Sequence, residues 1–261
     1  MSYKRRRSDF SINFEEIIYQ AEEKERVSKE TIVSLRQDFY ELSKVYKAGN
    51  QKELAERCIR EALSDNFSAE MICVLGRMYF DGDYFEEDCA KACHYFEMAY
   101  EGGERHIRPG DYLMMGSYRH YEVEEGRKYG LFRDMNLALK WYTLGAEMAP
   151  EIYSHVGCAY MQKEIRDYKK AYECFFMAGM EDTRAKLYLG FMFEYGLYVK
   201  ADYDKAKMLF SFVLQDCERE GIKEGDIFYD RAVEGLNELS GKASVPLTKE
   251  YFEMLVDSSE L

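Results

Sequence analysis

Cys89, Cys93 and His94 stand just behind Glu86, Glu87 and Asp88, and thiolate, imidazole and carboxylate together are the donor types of a zinc site. On a helix, positions 89 and 93 share one face, while position 94 is rotated away by one step. A structural zinc takes four ligands in all, so others would have to come from elsewhere in the chain. The competing reading takes the same stretch, "LGRMYFDGDYFEEDCAKACHYFEMAYEGG" from Leu75 to Gly103, as two short helices around a glycine turn. The remaining histidines, His106, His120 and His155, lie in no motif that would supply a nucleophile or an oriented acid. The glycines form neither a phosphate-binding loop nor a dinucleotide fingerprint.

What would have to position these residues is a chain of 261 residues, long enough for a substantial core in one large domain or two small ones. Its 33% charged and 47% hydrophobic residues match a soluble folded protein rather than a disordered one. Only 3 prolines interrupt long periodic segments, which favours helices. The net charge of -13 argues against the phosphate backbone of nucleic acid and against an anionic membrane surface, and its simplest effect is solubility. The basic cluster in "MSYKRRRSDFSINFEEIIYQ" is not followed by an apolar run, because Asp9, Asn13, Glu15 and Glu16 interrupt it. No stretch approaches the roughly 18 apolar residues of a membrane span. Seven cysteines, an odd number without paired spacing, predict free thiols in a reducing compartment, so the expected location is cytoplasmic.

Internal similarity gives these features an order. Four segments carry a glycine at one phase: "VLGRMYFDG" around Gly76, "MMGSYRHYE" around Gly116, "HVGCAYMQK" around Gly157 and "YLGFMFEYG" around Gly190. Tyr79, Tyr160 and Phe193 follow three residues later, and the second segment departs with Arg119. Each glycine segment precedes a second motif: "KACHYFEMAYEGG", "LALKWYTLGAEMA", "KAYECFFMAGM" or "KAKMLFSFVL". The glycines lie 40, 41 and 33 residues apart, a spacing that suits a helix–turn–helix repeat. Pro109 and Pro150 precede two of them by seven residues, where a first helix should begin, and Asp182 can cap the fourth. A mid-helix glycine costs about 1 kcal/mol against alanine, so four at one phase predict close helix contacts. Ala92, Ala138, Ala171 and Ala206 are expected to serve the opposing helix, with the pairs Tyr95–Phe96, Trp141–Tyr142, Phe175–Phe176 and Leu209–Phe210 closing the interface with the next unit.

This combination resembles the Sel-one-like repeat of the tetratricopeptide-repeat superfamily, whose pattern is leucine–glycine–x–x–tyrosine, a glycine-containing loop, then lysine–alanine–x–x–tryptophan–tyrosine–x–x–alanine–alanine. Unit one matches through Leu75, Gly76, Tyr79, Gly82, Lys91, Ala92, Tyr95, Phe96 and Ala99. Unit two has Trp141, Tyr142 and Ala146 with an expanded loop, and unit three lacks the loop glycine. Unit four keeps Leu189, Gly190, Gly196, Lys205 and Ala206. The resemblance implies an all-α, right-handed α-solenoid of antiparallel helix pairs.

The expected organisation is 1–67 for N-terminal helices, including a degenerate tetratricopeptide-like pair, 68–217 for four repeats, and 218–261 for closing helices. Phe14, Ile17, Ile18 and Ala21 line one flanking helix face, with Asn13 as its cap. Ile32, Leu35, Phe39, Leu42 and Tyr46 line another, and Leu54, Ala55, Cys58, Ile59 and Ala62 its partner. The step from Gly116 to Ala138 is 22 residues against 16 in units one and four, so about 119–132 should leave the core as an enlarged loop.

The resemblance also implies a non-catalytic scaffold or adaptor without a cofactor, binding a peptide or partner protein on its concave face. The alternatives are a metal-dependent regulator or enzyme built on Cys89, Cys93 and His94, and a structural subunit that oligomerises. Carried over from tetratricopeptide geometry, the groove positions are one, four and five residues after each glycine. Among them, Arg77, Phe80, His120, Tyr121, Met161, Phe191 and Tyr195 are the expected partner-binding residues.

Overall fold

The computed structural model describes residues 14–64, 66–82, 85–104, 106–121, 123–241 and 249–257. Every regular element among them is helical. Helices α1 (Phe14–Ala48) and α2 (Lys52–Ala62) form a first pair, followed by α3 (Ala69–Asp81) with α4 (Cys89–Glu101). Next comes α5 (Pro109–His120) with α7 (Met135–Ala146), the short α6 (Glu124–Arg127) lying between them. A 3-10 turn, Pro150–Ile152, leads into α8 (Tyr153–Met161), which pairs with α9 (Tyr168–Ala178). Then α10 (Thr183–Tyr195) pairs with α11 (Tyr203–Glu220), and α12 (Ile227–Leu239) and α13 (Lys249–Asp257) close the chain. From α1 to α12 each helix packs mainly on its neighbours in sequence, as in an α-solenoid of antiparallel pairs.

The N-terminal stripes predicted as separate helix faces belong to one continuous helix, α1, because no glycine or proline divides them. Leu35, Phe39, Leu42 and Tyr46 are buried as expected, whereas Ile32 is exposed. Asn13 lies outside the described residues. Pro109 opens α5, and Pro150 opens the turn before α8. Asp182 caps α10 by accepting from the Ala185 amide at 2.7 Å.

The repeat glycines are contact points between paired helices. A Cβ on Gly76 would lie 2.8 Å from the Phe96 ring, on Gly116 2.4 Å from Tyr142, on Gly157 2.5 Å from Phe175, and on Gly190 2.6 Å from Phe210. Each ring stands four residues after Ala92, Ala138, Ala171 or Ala206 and therefore on the same face as its alanine. This corrects the phase expected in unit three, where the pair is Cys174–Phe175; Phe176 is 71% exposed. Replacing Gly157 with leucine should destabilise the fold by about 1–3 kcal/mol, since the Phe175 ring would have to move. Urea unfolding measures this, and an unchanged midpoint would remove close packing as the reason for the glycine.

A second recurring device joins each pair. Asp88, Asp134, Asp167 and Asp202 cap the second helices, accepting from the amides of Lys91, Leu137, Lys170 and Lys205. Their own amides donate back to the first helix, at the carbonyls of Tyr79, Arg119, Tyr160 and Phe193. In units one, three and four the lysine three residues on lies over that aromatic: Lys91 over Tyr79 at 4.2 Å, Lys170 over Tyr160 at 5.1 Å, Lys205 over Phe193 at 5.1 Å. Asp88, a metal-donor candidate by residue type, is thus a helix cap, three residues before the repeated lysine.

Unit two replaces the aromatic with Arg119, and the structure shows what the arginine does. Its Nε donates to Glu97 at 2.9 Å, and its Nη1 donates to the carbonyls of Gly130 at 3.0 Å and Phe132 at 3.1 Å. Trp141 Nε1 donates to the same Glu97 at 3.0 Å, tying α4, α5 and α7 together. The enlarged loop therefore does not leave the core, contrary to expectation. Leu131 is fully buried, Gly126 is buried in α6, and the Tyr129 hydroxyl donates to Asp88 at 2.6 Å.

Candidate functional site

The face carried by the first helices changes character along the chain. At its start, Phe80 and Tyr121 are each 40% exposed, and the Tyr121 ring stacks on His120 with centroids 4.2 Å apart. Arg77 is held by its Nη2 donating to the His106 carbonyl at 2.8 Å, and lines a cleft of about 670 Å³ with Glu70, Cys73 and Val74. His120 itself is buried beneath Tyr121, its Nδ1 3.4 Å from the Tyr142 hydroxyl. Met161 and Phe191 are buried as well, and Tyr195 is half-buried. The seven expected residues are thus split: Arg77, Phe80 and Tyr121 reach the surface, the side chains of His120, Met161 and Phe191 belong to the interior, and Tyr195 lies between the two.

Helix α13 covers the downstream part of this face. Phe252 packs 4.9 Å from Phe191 and 5.1 Å from Tyr195 between ring centroids, and both Phe252 and Val256 are buried. Gln162 Nε2 donates to the Val256 carbonyl at 2.9 Å. One turn apart on an adjacent edge of α13, Glu253 and Asp257 meet the turn between α8 and α9. Arg166 Nη2 lies 2.6 Å from Asp257 and its Nη1 3.7 Å from Glu253, while the Lys163 amide donates to Asp257 at 3.0 Å and the Tyr168 hydroxyl donates to Glu253. Arg166 Nε donates to the Met161 carbonyl at 2.9 Å, which aims the guanidinium. This is the turn that lacks the repeat's glycine.

The cysteine–histidine corner is arranged differently from a ligand set. Cys93 is fully buried, Cys89 donates weakly to Glu87, and His94 stacks against Tyr129. Asp88 is occupied by the Lys91 amide, the Tyr129 hydroxyl and Lys128. Among the described residues no three of His, Cys, Asp and Glu converge as metal ligands. All seven cysteines are free, and burial pushes the Cys58, Cys73, Cys158 and Cys174 thiols up to about 11.

Ionisable groups held between the helices tie stability to pH. Burial lowers His94 and His120 to about 4 and His155 to about 3, with Arg119 adding to the effect at His94, Arg133 at His120 and Arg184 at His155. The unfolded chain takes up protons on these histidines below about 6.5 and the folded chain does not, so stability falls as pH drops from there towards 4. Glu194 works in the opposite window. Burial and the facing Glu238 carboxylate raise it to about 8, so the folded chain keeps a proton that the unfolded chain releases near 4.5. Stability therefore also falls as pH rises towards 8. The melting temperature should peak near neutrality, and Glu194→Gln should flatten the alkaline side while steepening the acid side down to about 4.5. A pH-independent melting temperature between 5 and 8 would contradict both halves.

Gly235, absent from the four repeat glycines, is a fifth contact of the same kind: a Cβ there would lie 2.4 Å from Phe210 on the α12 side. It belongs to the same pattern, in "VEGLNEL", but no recognisable second helix follows it.

Comparison with known proteins places these features. The sequence pattern described as Sel1 repeat matches residues 69–104, 112–150, 159–182 and 183–211. The chain is similar to the crystal structure of a Sel1 repeat protein from Oxalobacter formigenes, at 21% identity and a TM-score of 0.43, over 77% of this chain and 84% of that one. It is also similar to a protective antigen of uropathogenic Escherichia coli strains displaying an SLR fold, at 19% identity and a TM-score of 0.34, over 90% of this chain and 64% of that one. No curated protein matches the sequence.

Proposed function

The chain belongs to the Sel1 repeat family, whose repeats generally mediate protein–protein interaction, and on that premise we propose that it is a non-catalytic scaffold binding a partner protein through its first-helix face. The observation that carries this reading is the seating of α13 on Phe191 and Tyr195. A helix with an apolar edge and an acidic edge already rests where a partner segment would lie. Upstream, Phe80, Tyr121 and Arg77 continue the same face with side chains of the types that dominate binding energy. Helices α1 and α2 at one end and α12 at the other then serve as end layers that close the solenoid core. We place the protein in the cytoplasm, a reading supported by its free, buried cysteines. Among the described residues no helix is long and apolar enough to cross a membrane.

The test is affinity capture with the intact chain from its own host, comparing wild type with Tyr121→Ala and Phe80→Ala. Both residues are partly exposed, so their loss should reduce capture at least several-fold while the melting temperature stays within a few degrees. Undiminished capture by both variants would move the binding surface away from this face. Equal loss of folding and capture would assign both rings to packing.

A further inference from the structure

Helix α13 is nine residues long, below the length at which an isolated helix holds in water, so its order depends on the surface beneath it. Its sequence "KEYFEMLVD" carries two stripes at i, i+4 spacing. Phe252 and Val256 point into the solenoid, Glu253 and Asp257 point to Arg166, and Met254 faces outward at 53% exposure. An aspartate at the last position of a helix opposes the helix dipole, and Arg166 offsets that penalty only while α13 is docked. The surface thus selects two separate properties, an aromatic–x–x–x–aliphatic edge and an acidic edge beside it.

We propose that the groove formed by α10 and the turn after α8 is a site for a short amphipathic helix of this chemistry, that α13 is its built-in ligand, and that a partner protein's helix with the same two edges displaces it. The proposal rests on the interaction reading above and gives it a partner class and a regulation. Because α13 belongs to the same chain as the surface it covers, it meets that surface at an effective concentration of about millimolar. A ligand that binds only weakly in trans is then mostly docked in cis. A competing helix succeeds only by binding tighter than α13 or by being held nearby through contacts at Phe80 and Tyr121. The site is closed to weak partners and open to those that engage both ends of the face.

The experiment uses the full chain and a fluorescent peptide of residues 245–261. With Phe252→Asp the internal helix is dislodged, and the peptide should bind at least ten-fold more tightly than to wild type. Adding Arg166→Glu should abolish that binding. Equal, weak binding to wild type and to a still-helical Phe252→Asp chain would overturn the proposal. So would exchange of α13 between copies, seen as a concentration-dependent wild-type dimer. Hydrogen exchange on the wild type provides a reading independent of substitution. Amides of α13 should exchange through an opening that leaves α10 protected, and exchange of both helices together would make α13 an ordinary core element. The peptide assay needs no partner, so its failure leaves the capture result of the scaffold reading untouched, and failed capture does not affect the assay.

Discussion

Phe210→Ala should cost about 3–5 kcal/mol, the largest effect of any single truncation in the C-terminal half. The ring is fully buried, and two bare helix backbones hold it, Gly190 in α10 and Gly235 in α12. Collapse is what lowers the cost of such a cavity, and neither glycine has a side chain to move into it. The same geometry predicts a coupling. Gly235→Ala should destabilise the wild type, where its Cβ would meet the ring at 2.4 Å. In the Phe210→Ala background it should be neutral or stabilising, because alanine is favoured over glycine in a helix by about 1 kcal/mol. A double-mutant cycle by urea unfolding measures both; strictly additive effects would show that Gly235 and Phe210 do not press on each other.

Asp38→Ala should be about as damaging, at roughly 3–5 kcal/mol, for an electrostatic reason. Asp38 is buried on α1 and accepts from the hydroxyls of Tyr79 at 2.8 Å and Tyr95 at 2.6 Å, with Lys91 Nζ 2.7 Å away. Its removal leaves the Lys91 ammonium, whose side chain is only 13% exposed, without a counter-charge and takes one acceptor from each phenol, with the Tyr79 hydroxyl still meeting Lys91 and the Tyr95 hydroxyl still meeting Ser34. The same three bonds join α1 to α3 and α4, so the loss should appear first as faster hydrogen exchange in α1. A change below about 1 kcal/mol would mean that the pair stabilises no more than a surface ion pair. Asp38→Asn retains an acceptor and should fall between the two.

The repeat was legible because its signal is local. Gly76, Gly116, Gly157 and Gly190 each recur with an alanine and an aromatic at a spacing that a helix pair imposes, and the structure sets each glycine against a ring. Unit three was misphased because two aromatics, Phe175 and Phe176, stand side by side; only the four-residue step from Ala171 separates the buried one from the exposed one. The enlarged loop was misjudged because length alone does not say whether a segment returns. Leu131 does return, drawn in by Arg119 holding the carbonyls around it. The candidate site was half legible. First-helix positions were found from repeat geometry, but what covers Phe191 comes from Phe252, and no local pattern in either segment announces the other.

Helix α13 also has a mechanical consequence. A solenoid stretches as a spring does, through small changes of angle at each junction between units. Gln162 and Arg166 hold Val256 and Asp257, so that α13 is a strut between the turn after α8 and α10. The units it spans cannot change pitch independently while it is seated. Displacing α13 would therefore do more than clear a surface. It would soften the C-terminal half, letting the spring adjust its curvature to whatever has taken the strut's place.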